Sequence, residues 1–507
     1  MPMSHQDFAA RSSRLFVGAC VLLYLLISAG WIAVPFPAEY REWAQAEAAL
    51  RLFDADGAYS SPDGNGIYVY GFLFPLLGNL LHRLFSADML LLLRTLSLGF
   101  TVLSATLAVV AVRRRSAAGF DAQLMCFAIV VLCGWQNVPG VAVPAPMGTA
   151  LMLCALLAAE RERVGWSALA TSLLFFVKPY FVALWLPLQL WFFMRSRRLG
   201  WRYLVLTLAC GLAVGGAVLL AFPYYYIYNI VHHLAAASSD VVHLLRQLVL
   251  TLVLFLPLFV GTAMAARRMG RAFFRDVYAL SGLLLFALWL RLGMHTGGNM
   301  SYVLHLWLPV VGVFVFSWNE NIQDGAVEKD ARTRRNDKRM RVLFSLYPVL
   351  AIGFLLGVRG YNPLPPMGEE RVEWEKLNRE LRESANDLRT KDADGAICIS
   401  PAAAPMAARC GMRVADGGMR QYAGTLYSEK PWVQALLPQT KAFARRAETS
   451  DARVLDLPSG ASPSVVVADT WSIVAPEDLR GLGYKEKCTH NVRVGVHNVG
   501  VSVWIRN

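Results

Sequence analysis

The sequence contains few charged residues. Of its 507 residues, 17% are Asp, Glu, Lys or Arg, whereas 56% are hydrophobic. A soluble globular protein carries about 25% charged residues, so this chain has too few to cover a surface that faces water. Residues 1–358 consist of long apolar runs separated by short basic clusters, whereas residues 359–507 resemble an ordinary soluble domain in composition. The sequence therefore predicts a polytopic membrane protein with a soluble C-terminal part.

Cysteine is also scarce, and eight cysteines in a chain of this length are too few for a disulfide scaffold. Five lie in apolar runs, where we interpret them as small core residues: Cys20, Cys126, Cys133, Cys154 and Cys210. The soluble part contains Cys398, Cys410 and Cys488. A disulfide between Cys398 and Cys410 is a candidate if this part lies in an oxidising compartment.

The excess of basic residues does not indicate a nucleic-acid partner. The formal net charge is +13, but the basic residues lie in short loops between apolar segments. Lys and Arg in such loops mark the cytoplasmic side of a membrane protein. We therefore expect the lipid bilayer, and no nucleic acid, as the partner of this positive charge.

Crossing the hydrocarbon core takes about 20 apolar residues in a helix. The candidate spans are 15–34, 89–112, 122–136, 147–159, 165–177, 180–194, 202–222, 247–265, 277–292, 302–317 and 342–358. The apolar segment Ile67–Phe85 is interpreted as an interfacial helix, because only then do all basic clusters fall on one side. This predicts about eleven spans, with the N-terminus in the cytoplasm and the C-terminal domain in the periplasm or outside the cell.

We predict two domains. Residues 1–358 form an all-α transmembrane domain whose outer loop 36–88 carries interfacial helices, and residues 359–507 form a small α/β domain. The segment Glu369–Lys391 is predicted to be a helix, because its apolar residues recur with helical spacing: Val372, Trp374, Leu377 and Leu381. Patterns typical of strands occur at Ala396–Ser400, Ser464–Ala468 and Val492–Ile505.

Acidic residues are concentrated directly after the first span: Glu39, Glu42, Glu47, Asp54, Asp56 and Asp63. A carboxylate at the membrane surface could accept the proton of an attacking sugar hydroxyl. The spacing of Asp54 and Asp56 could also hold a divalent metal, Mg²⁺ or Mn²⁺, against a phosphate. The alternative is a solvated acidic loop without a catalytic role, and the pattern alone favours that alternative.

Three basic residues, Arg94, Lys178 and Arg291, interrupt or end apolar segments near their outer ends. Charges at membrane depth are costly and indicate function by default, and several cations at one depth could bind a lipid-linked phosphate. The alternative is that these long side chains reach the interface. Weaker candidates for substrate binding are Tyr70, His232, His233, His295 and Asn299.

The acidic first outer loop, followed by YVYGFLFPLLGNLLHRLFSADMLLLLRTLSLGF, resembles the GT-C superfamily of polytopic glycosyltransferases. This superfamily includes protein mannosyltransferases, aminoarabinose transferases and arabinofuranosyltransferases. The segments that carry the resemblance are Tyr70–Leu76, Phe85–Ser86, Arg94, Lys178 and Gly297–Tyr302. Two positions depart from the family pattern. Glu39 has no adjacent acid, and Phe72 replaces a more usual proline.

The resemblance implies transfer of a hexosyl or pentosyl group from a polyprenyl phosphate at the outer face of the cell inner membrane. The acceptor would be a cell-envelope glycan, a lipid-linked glycan or a protein. Glu39, Asp54 or Asp56 would be the base, and Arg94, Lys178 and Arg291 would hold the phosphate. A flippase for a lipid-linked sugar is the main alternative, but it predicts charges at the bilayer midplane and pseudo-repeats. A second alternative, which the sequence leaves open, is that the protein is a structural subunit of an envelope-glycan assembly complex.

Overall fold

The structure is a computed structural model, and it describes most of the chain. The described residues are 5–38, 40–54, 57–59, 68, 70–116, 120–132, 141–231, 241–292, 303–324, 364–390, 395–400, 402–414, 462–469, 472, 474, 476–494 and 497–506.

Helices dominate the N-terminal part. They are α1 His5–Ile32, α2 Tyr40–Leu50, α3 Leu73–Phe85, α4 Met89–Arg115, α5 Phe120–Leu132, α6 Ala145–Glu160, α7 Val164–Phe175, α8 Trp185–Arg195, α9 Arg197–Ala221, α10 Val241–Leu254, α11 Leu256–Met269, α12 Val277–Leu292 and α13 Leu308–Asp324. Two 3₁₀ turns, Pro179–Leu184 and Gly270–Arg275, and two π-helical turns, Ile227–Val231 and Val303–Trp307, connect or precede them.

Three helices of the described residues are long and apolar enough to cross a membrane: Arg14–Ile32, Met89–Arg115 and Arg197–Ala221. A fourth span is formed if the pair Leu248–Leu254 and Leu256–Arg275, which is bent by 79°, counts as one crossing. The other apolar helices are shorter than 18 residues. The predicted number of about eleven spans is therefore not confirmed, and the predicted span at 342–358 lies outside the described residues.

The segment predicted to lie in the interface contains a helix of only 13 residues, α3. This helix is shorter than the roughly 20 residues that a crossing requires. It ends at Ser86, which adopts the left-handed conformation with φ 51° and donates its N–H to the His82 carbonyl. Helix α4 then begins at once, because the Asp88 carboxylate caps it by accepting the Leu91 N–H. The tight turn lays α3 against α4.

At the opposite end of α4 a charged network joins four parts of the helical bundle. Arg115 donates to Glu160 at 3.0 Å, to Ser317 at 3.1 Å and to Asp276. The basic cluster Arg113–Arg115 was interpreted only as a topology signal. In the structure Arg113 and Arg114 are exposed, as that interpretation requires, but Arg115 is half-buried and links α4, α6, α13 and the start of α12.

The C-terminal part is a five-stranded sheet with helices, as the strand patterns predict. Its elements are α14 Glu369–Thr390, β1 Ala396–Cys398, α15 Ala404–Arg409, β2 Arg413–Val414, β3 Val465–Ala468, α16 Pro476–Gly481, β4 Tyr484–Val494 and β5 His497–Arg506. The strand order is β2-β1-β3-β5-β4. Strands β2, β1 and β3 are parallel, whereas β5 is antiparallel to β3 and β4. The predicted segment Val492–Ile505 is thus a hairpin that spans β4 and β5.

Helix α14 packs on this sheet with the apolar face that its spacing predicts, except at one position. Trp374, Leu377 and Leu381 are completely buried. Val372, which belongs to the same helical spacing, is 47% exposed and lies off this buried face. Val372 lies two residues before Trp374, which places it about 200° away around an α-helix.

The C-terminal domain docks on the first loop of the transmembrane part. The rings of Trp374 and Phe36 stack with centroids 5.1 Å apart. Arg409 donates to the Pro35 carbonyl at 2.6 Å and to the Asp88 carboxylate at 2.7 Å. Burial opposes ionisation of Asp88, but the hydrogen bond and the charge of Arg409 outweigh it and hold the pKa of Asp88 below its usual value. The loop after α1 therefore lies between the helical bundle and the C-terminal domain.

Candidate functional site

The segment after α1 is held by one buried guanidinium. Arg94 in α4 is completely buried, and all five of its N–H bonds have partners. Its Nε and Nη2 donate to the two carboxylate oxygens of Glu42 at 2.9 and 2.7 Å. Nη1 donates to the carbonyls of Trp31 and Val34 at 2.7 and 2.6 Å, and Nη2 donates to the Phe36 carbonyl at 2.7 Å.

This saturation changes the role of Arg94. A guanidinium has five donors and no acceptor, so no donor is left for a substrate phosphate. The sequence-based assignment of Arg94 to the donor phosphate is therefore replaced by a structural role. Arg94 fixes the chain where it leaves the first helix.

Glu42 is the partner that the sequence analysis did not single out. Its carboxylate is completely buried and also accepts the N–H groups of Ala38 and Ala142, at 2.7 and 2.8 Å. The sequence did contain a signal for a buried acid such as Glu42, because an arginine inside an apolar span needs a buried counter-charge. Six acids in the same loop satisfied that condition equally well, so only the tertiary structure identifies Glu42.

The second feature of the site is the close approach of residues 70–73 to the segment before Lys178. The Leu73 N–H donates to the Phe176 carbonyl at 3.0 Å. A Cβ atom at Gly71 would lie 2.1 Å from the Phe176 oxygen and 2.6 Å from the Val177 oxygen. Such distances are sterically forbidden, so the contact requires glycine. The Tyr70–Gly71 pair therefore places Tyr70 beside Lys178.

Lys178 lies at a break between two helices. Its backbone is extended, with φ −153° and ψ 129°, and Pro179 starts the following 3₁₀ turn. A residue before proline is disfavoured in the helical region, which explains why α7 ends here. The Nζ atom of Lys178 lies 4.8 Å from the ring centroid of Tyr70 and 5.7 Å from that of Tyr180. The aromatic rings hold the ammonium group by cation–π attraction.

His305 lies close enough to Lys178 to interact with it electrostatically. It belongs to the π-helical turn Val303–Trp307 that precedes α13. The side chain is 4% exposed, and its Nε2 atom has no hydrogen-bond partner among the described residues. The backbone of the turn is held by Thr149, whose hydroxyl donates to the His305 carbonyl at 2.8 Å.

A cluster of aromatic side chains holds the backbone of Tyr70 in place. The Tyr59 hydroxyl donates to the Tyr70 carbonyl at 2.7 Å, and the Tyr68 hydroxyl donates to Gln45. The Tyr59 ring packs edge-on against Tyr225, with centroids 4.9 Å apart. Burial raises the pKa of both Tyr59 and Tyr68 well above the usual value. Both phenols therefore stay protonated at neutral pH and keep their donated hydrogen bonds.

No protein-family model and no curated protein matches the sequence. Among solved structures, ArnT from Cupriavidus metallidurans in the apo state matches with a TM-score of 0.52 and 13% identity. The match covers 95% of this chain and 97% of the ArnT chain. The chain has the GT-C fold. ArnT bound to undecaprenyl phosphate matches with a TM-score of 0.45, at the same identity and coverage.

Within this GT-C fold the predicted acids are only partly described. Asp54 is exposed, and its Oδ2 lies 3.7 Å from Nε of Arg51. Asp54 is therefore open to solvent. Other predicted site residues lie outside the described residues: Glu39, Asp56, His232, His233, His295 and Asn299. The backbone of Arg291 belongs to α12, but its side chain is not described.

The predicted metal site stays a prediction. The described part of the chain contains no group of three His, Cys, Asp or Glu side chains that could hold a metal ion. Of the predicted ligands only Asp54 is described, and the nearest charged side chain recorded for its carboxylate is Arg51. A cation such as Arg51 opposes metal binding at this carboxylate.

The predicted disulfide between Cys398 and Cys410 was wrong. Both are free thiols in the structure, as is Cys488. Cys398 is completely buried in β1, and its thiol donates to the Ser400 carbonyl at 3.5 Å. Burial raises the pKa of Cys398 and of Cys410, so both stay protonated at neutral pH. These cysteines pack as small apolar residues, which sequence spacing cannot distinguish from a disulfide pair.

Gly71→Ala is expected to separate Tyr70 from Lys178. The new methyl group must displace the Phe176 and Val177 carbonyls, and the hydrogen bond from Leu73 to Phe176 is then lost. We expect destabilisation by about 2 kcal/mol or more, measured by thermal unfolding of the purified protein. Gly99→Ala is the matched control, because nothing lies within 4 Å of its Cβ position and alanine favours the helix. Equal melting temperatures for the two variants would contradict the close approach.

Proposed function

We propose that the protein is a membrane glycosyltransferase that moves one sugar from a polyprenyl-phosphate-linked donor to an acceptor hydroxyl. The GT-C fold carries this proposal, since the match to ArnT extends over 95% of the chain with a TM-score of 0.52. The acceptor is a cell-envelope glycan, a lipid-linked glycan or a protein. The reaction takes place on the extracytoplasmic face of the cell inner membrane, with the N-terminus in the cytoplasm, which is the orientation that the basic loops favour.

In the proposed reaction, the acceptor oxygen forms a bond to the anomeric carbon of the donor sugar. The bond between that carbon and the phosphate oxygen breaks with inversion, and polyprenyl phosphate leaves with the electron pair. A carboxylate of the first outer loop, Glu39, Asp54 or Asp56, takes the proton of the acceptor hydroxyl. Lys178, together with Arg291, neutralises the negative charge that develops on the departing phosphate.

The surroundings of Lys178 support its part in this proposal. An ammonium group at a helix break inside an apolar bundle is costly and indicates a function by default. The faces of Tyr70 and Tyr180 hold this group, with Nζ 4.8 and 5.7 Å from the ring centroids. Cation–π contacts orient an ammonium group without removing its positive charge, and a positive charge at this depth suits an anionic ligand. The prenyl chain would then lie along the lipid-facing helices.

Arg94 has no part in phosphate binding in this proposal. Its five donors hold Glu42 and the segment 31–36. We assign it the indirect task of fixing the chain that leads to Glu39. The docking of the C-terminal domain on Pro35 and Phe36 supports a role of that domain in binding the acceptor beside this loop.

The test is sugar transfer by the purified protein from a panel of radiolabelled polyprenyl-phosphate sugars. We expect transfer from at least one donor of the panel. We also expect one of Glu39→Gln, Asp54→Asn and Asp56→Asn to lower the rate about a hundredfold, because a general base contributes at least that factor. Glu47→Gln is the matched control, since this acid is paired with Arg51 at 3.4 Å. Transfer from no donor would overturn the proposal, and full activity of all three variants would overturn the assignment of the base.

A further inference from the structure

His305 is a buried histidine in the surroundings of Lys178. A buried histidine that only fills space normally bonds its ring nitrogens to protein groups, because an unpaired buried donor costs free energy. The Nε2 atom of His305 has no such bond in the described chain, although the side chain is only 4% exposed. Thr149 fixes the backbone of His305 through a hydrogen bond to its carbonyl. The imidazole ring therefore projects from a fixed backbone position.

The local backbone also departs from a regular helix. Val303–Trp307 forms a single π-helical turn, after which α13 continues as a normal α-helix. Single π-helical turns are rare and occur frequently at functional sites. The turn is joined to the surroundings of Lys178 through helix α6. Thr149 bonds the His305 carbonyl, and a Cβ atom at the neighbouring Gly148 would lie 2.3 Å from the ring of Phe181, whose N–H donates to the Lys178 carbonyl.

We infer that His305 is a second ligand of the donor phosphate, donating its Nε2–H to a phosphate oxygen that Lys178 also binds. This inference rests on the proposed function, because it takes the polyprenyl phosphate as the anion at Lys178. A second full positive charge next to Lys178 in a buried site is costly without an anion. The imidazole therefore acts as a neutral hydrogen-bond donor, and Lys178 supplies the charge. Together the two residues recognise a phosphate ester by one ion pair and one directed hydrogen bond.

The inference is tested with undecaprenyl phosphate and undecaprenol as probes, which share the prenyl chain and differ only in the phosphate. Binding of each lipid to the full-length protein in nanodiscs is measured, and the ratio of the two dissociation constants gives the phosphate preference. We expect His305→Leu to lower this preference about tenfold or more, the factor typical of a lost hydrogen bond to a charged group. Binding of undecaprenol should stay unchanged.

Two further variants separate binding from folding. His305→Gln retains an N–H donor at a similar distance from the backbone, so we expect most of the preference to be restored. Thr106→Val is the control. It removes an exposed hydroxyl that bonds only the Val102 carbonyl within helix α4, and it should change the preference by less than about threefold. If His305→Leu binds undecaprenyl phosphate like the wild type, or if His305→Gln loses as much as His305→Leu, the inference is overturned. A loss of undecaprenol binding in His305→Leu would also overturn it, because the residue would then be structural.

The same experiment distinguishes this inference from the proposed function. Wild-type protein that transfers sugar but whose phosphate preference is unaffected by His305→Leu leaves the function in place and removes the inference. Wild-type protein that prefers the phosphate through His305 but transfers no sugar removes the glycosyltransferase proposal and leaves the phosphate site. Wild-type protein without any phosphate preference removes both.

Discussion

Arg94→Met is expected to destabilise the folded protein by about 3–5 kcal/mol, the cost of leaving one partner of a buried ion pair without the other. The variant leaves the Glu42 carboxylate buried without its counter-charge, and it leaves three carbonyl groups without donors. For a chain of this size we expect the melting temperature in detergent to fall by at least about 5 °C. The yield of folded protein should fall with it.

The control for this prediction is Arg371→Met. Arg371 also pairs with a carboxylate, that of Glu375 at 2.8 Å, but both side chains are more than half exposed. An exposed pair contributes about 0–1 kcal/mol, so we expect almost no change in melting temperature. The double variant Arg94→Met with Glu42→Met should recover part of the loss, since no unpaired charge then stays buried. A stable Arg94→Met variant that fails to bind undecaprenyl phosphate would contradict the structural role and return Arg94 to the phosphate site.

Lys178→Met is expected to lower kcat/KM for sugar transfer by about a hundredfold to a thousandfold, the range typical of a lost electrostatic contact to a developing negative charge. Methionine keeps the length and the apolar stem of lysine, so the contacts in the helix break are largely retained. The substitution removes only the positive charge that is proposed to bind the donor phosphate. The measurement is the steady-state rate of transfer with the donor identified from the panel, at several donor concentrations.

Lys178→Arg should keep part of the activity, because the charge is retained while the shape of the donor group changes. Lys376→Met serves as the matched control. Its ammonium group is 53% exposed and pairs with Glu373, so neither activity nor melting temperature should change. A Lys178→Met variant with wild-type kcat/KM would show that the phosphate is held elsewhere, whereas a variant with a strongly lowered melting temperature would point to a structural lysine.

How far the sequence predicts the fold depends on the type of pattern. Apolar runs predict the helices of the transmembrane part closely, as at Met89–Arg115 and Val277–Leu292, because a bilayer demands a long uninterrupted apolar segment. The number of membrane crossings is harder to predict, because bent and broken segments such as Leu248–Arg275 have the same composition as straight spans. In the C-terminal domain, alternating residues predict strands, but they do not reveal that β4 and β5 form one long hairpin.

For the candidate site, sequence-based prediction is limited in a different way. The sequence identifies Lys178 and Tyr70 separately, from a charge inside an apolar run and from a family-like motif. It does not show that Gly71 brings them together, because the close approach involves the Phe176 and Val177 carbonyls about a hundred residues later. His305 lies still further along the chain, and no spacing rule relates it to either residue.

The sequence by itself predicted a polytopic membrane protein with a small C-terminal α/β domain, because hydrophobic patterning is a local property that decides which segments enter a bilayer. Only the tertiary structure decided what each charged residue does. Arg94, by composition as good a phosphate ligand as Lys178, is saturated by Glu42 and three carbonyls, whereas Lys178 rests on aromatic faces. The difference arises because the free energy of a buried charge depends on which groups surround it in space, and the neighbours of Arg94 come from segments up to 63 residues away along the chain.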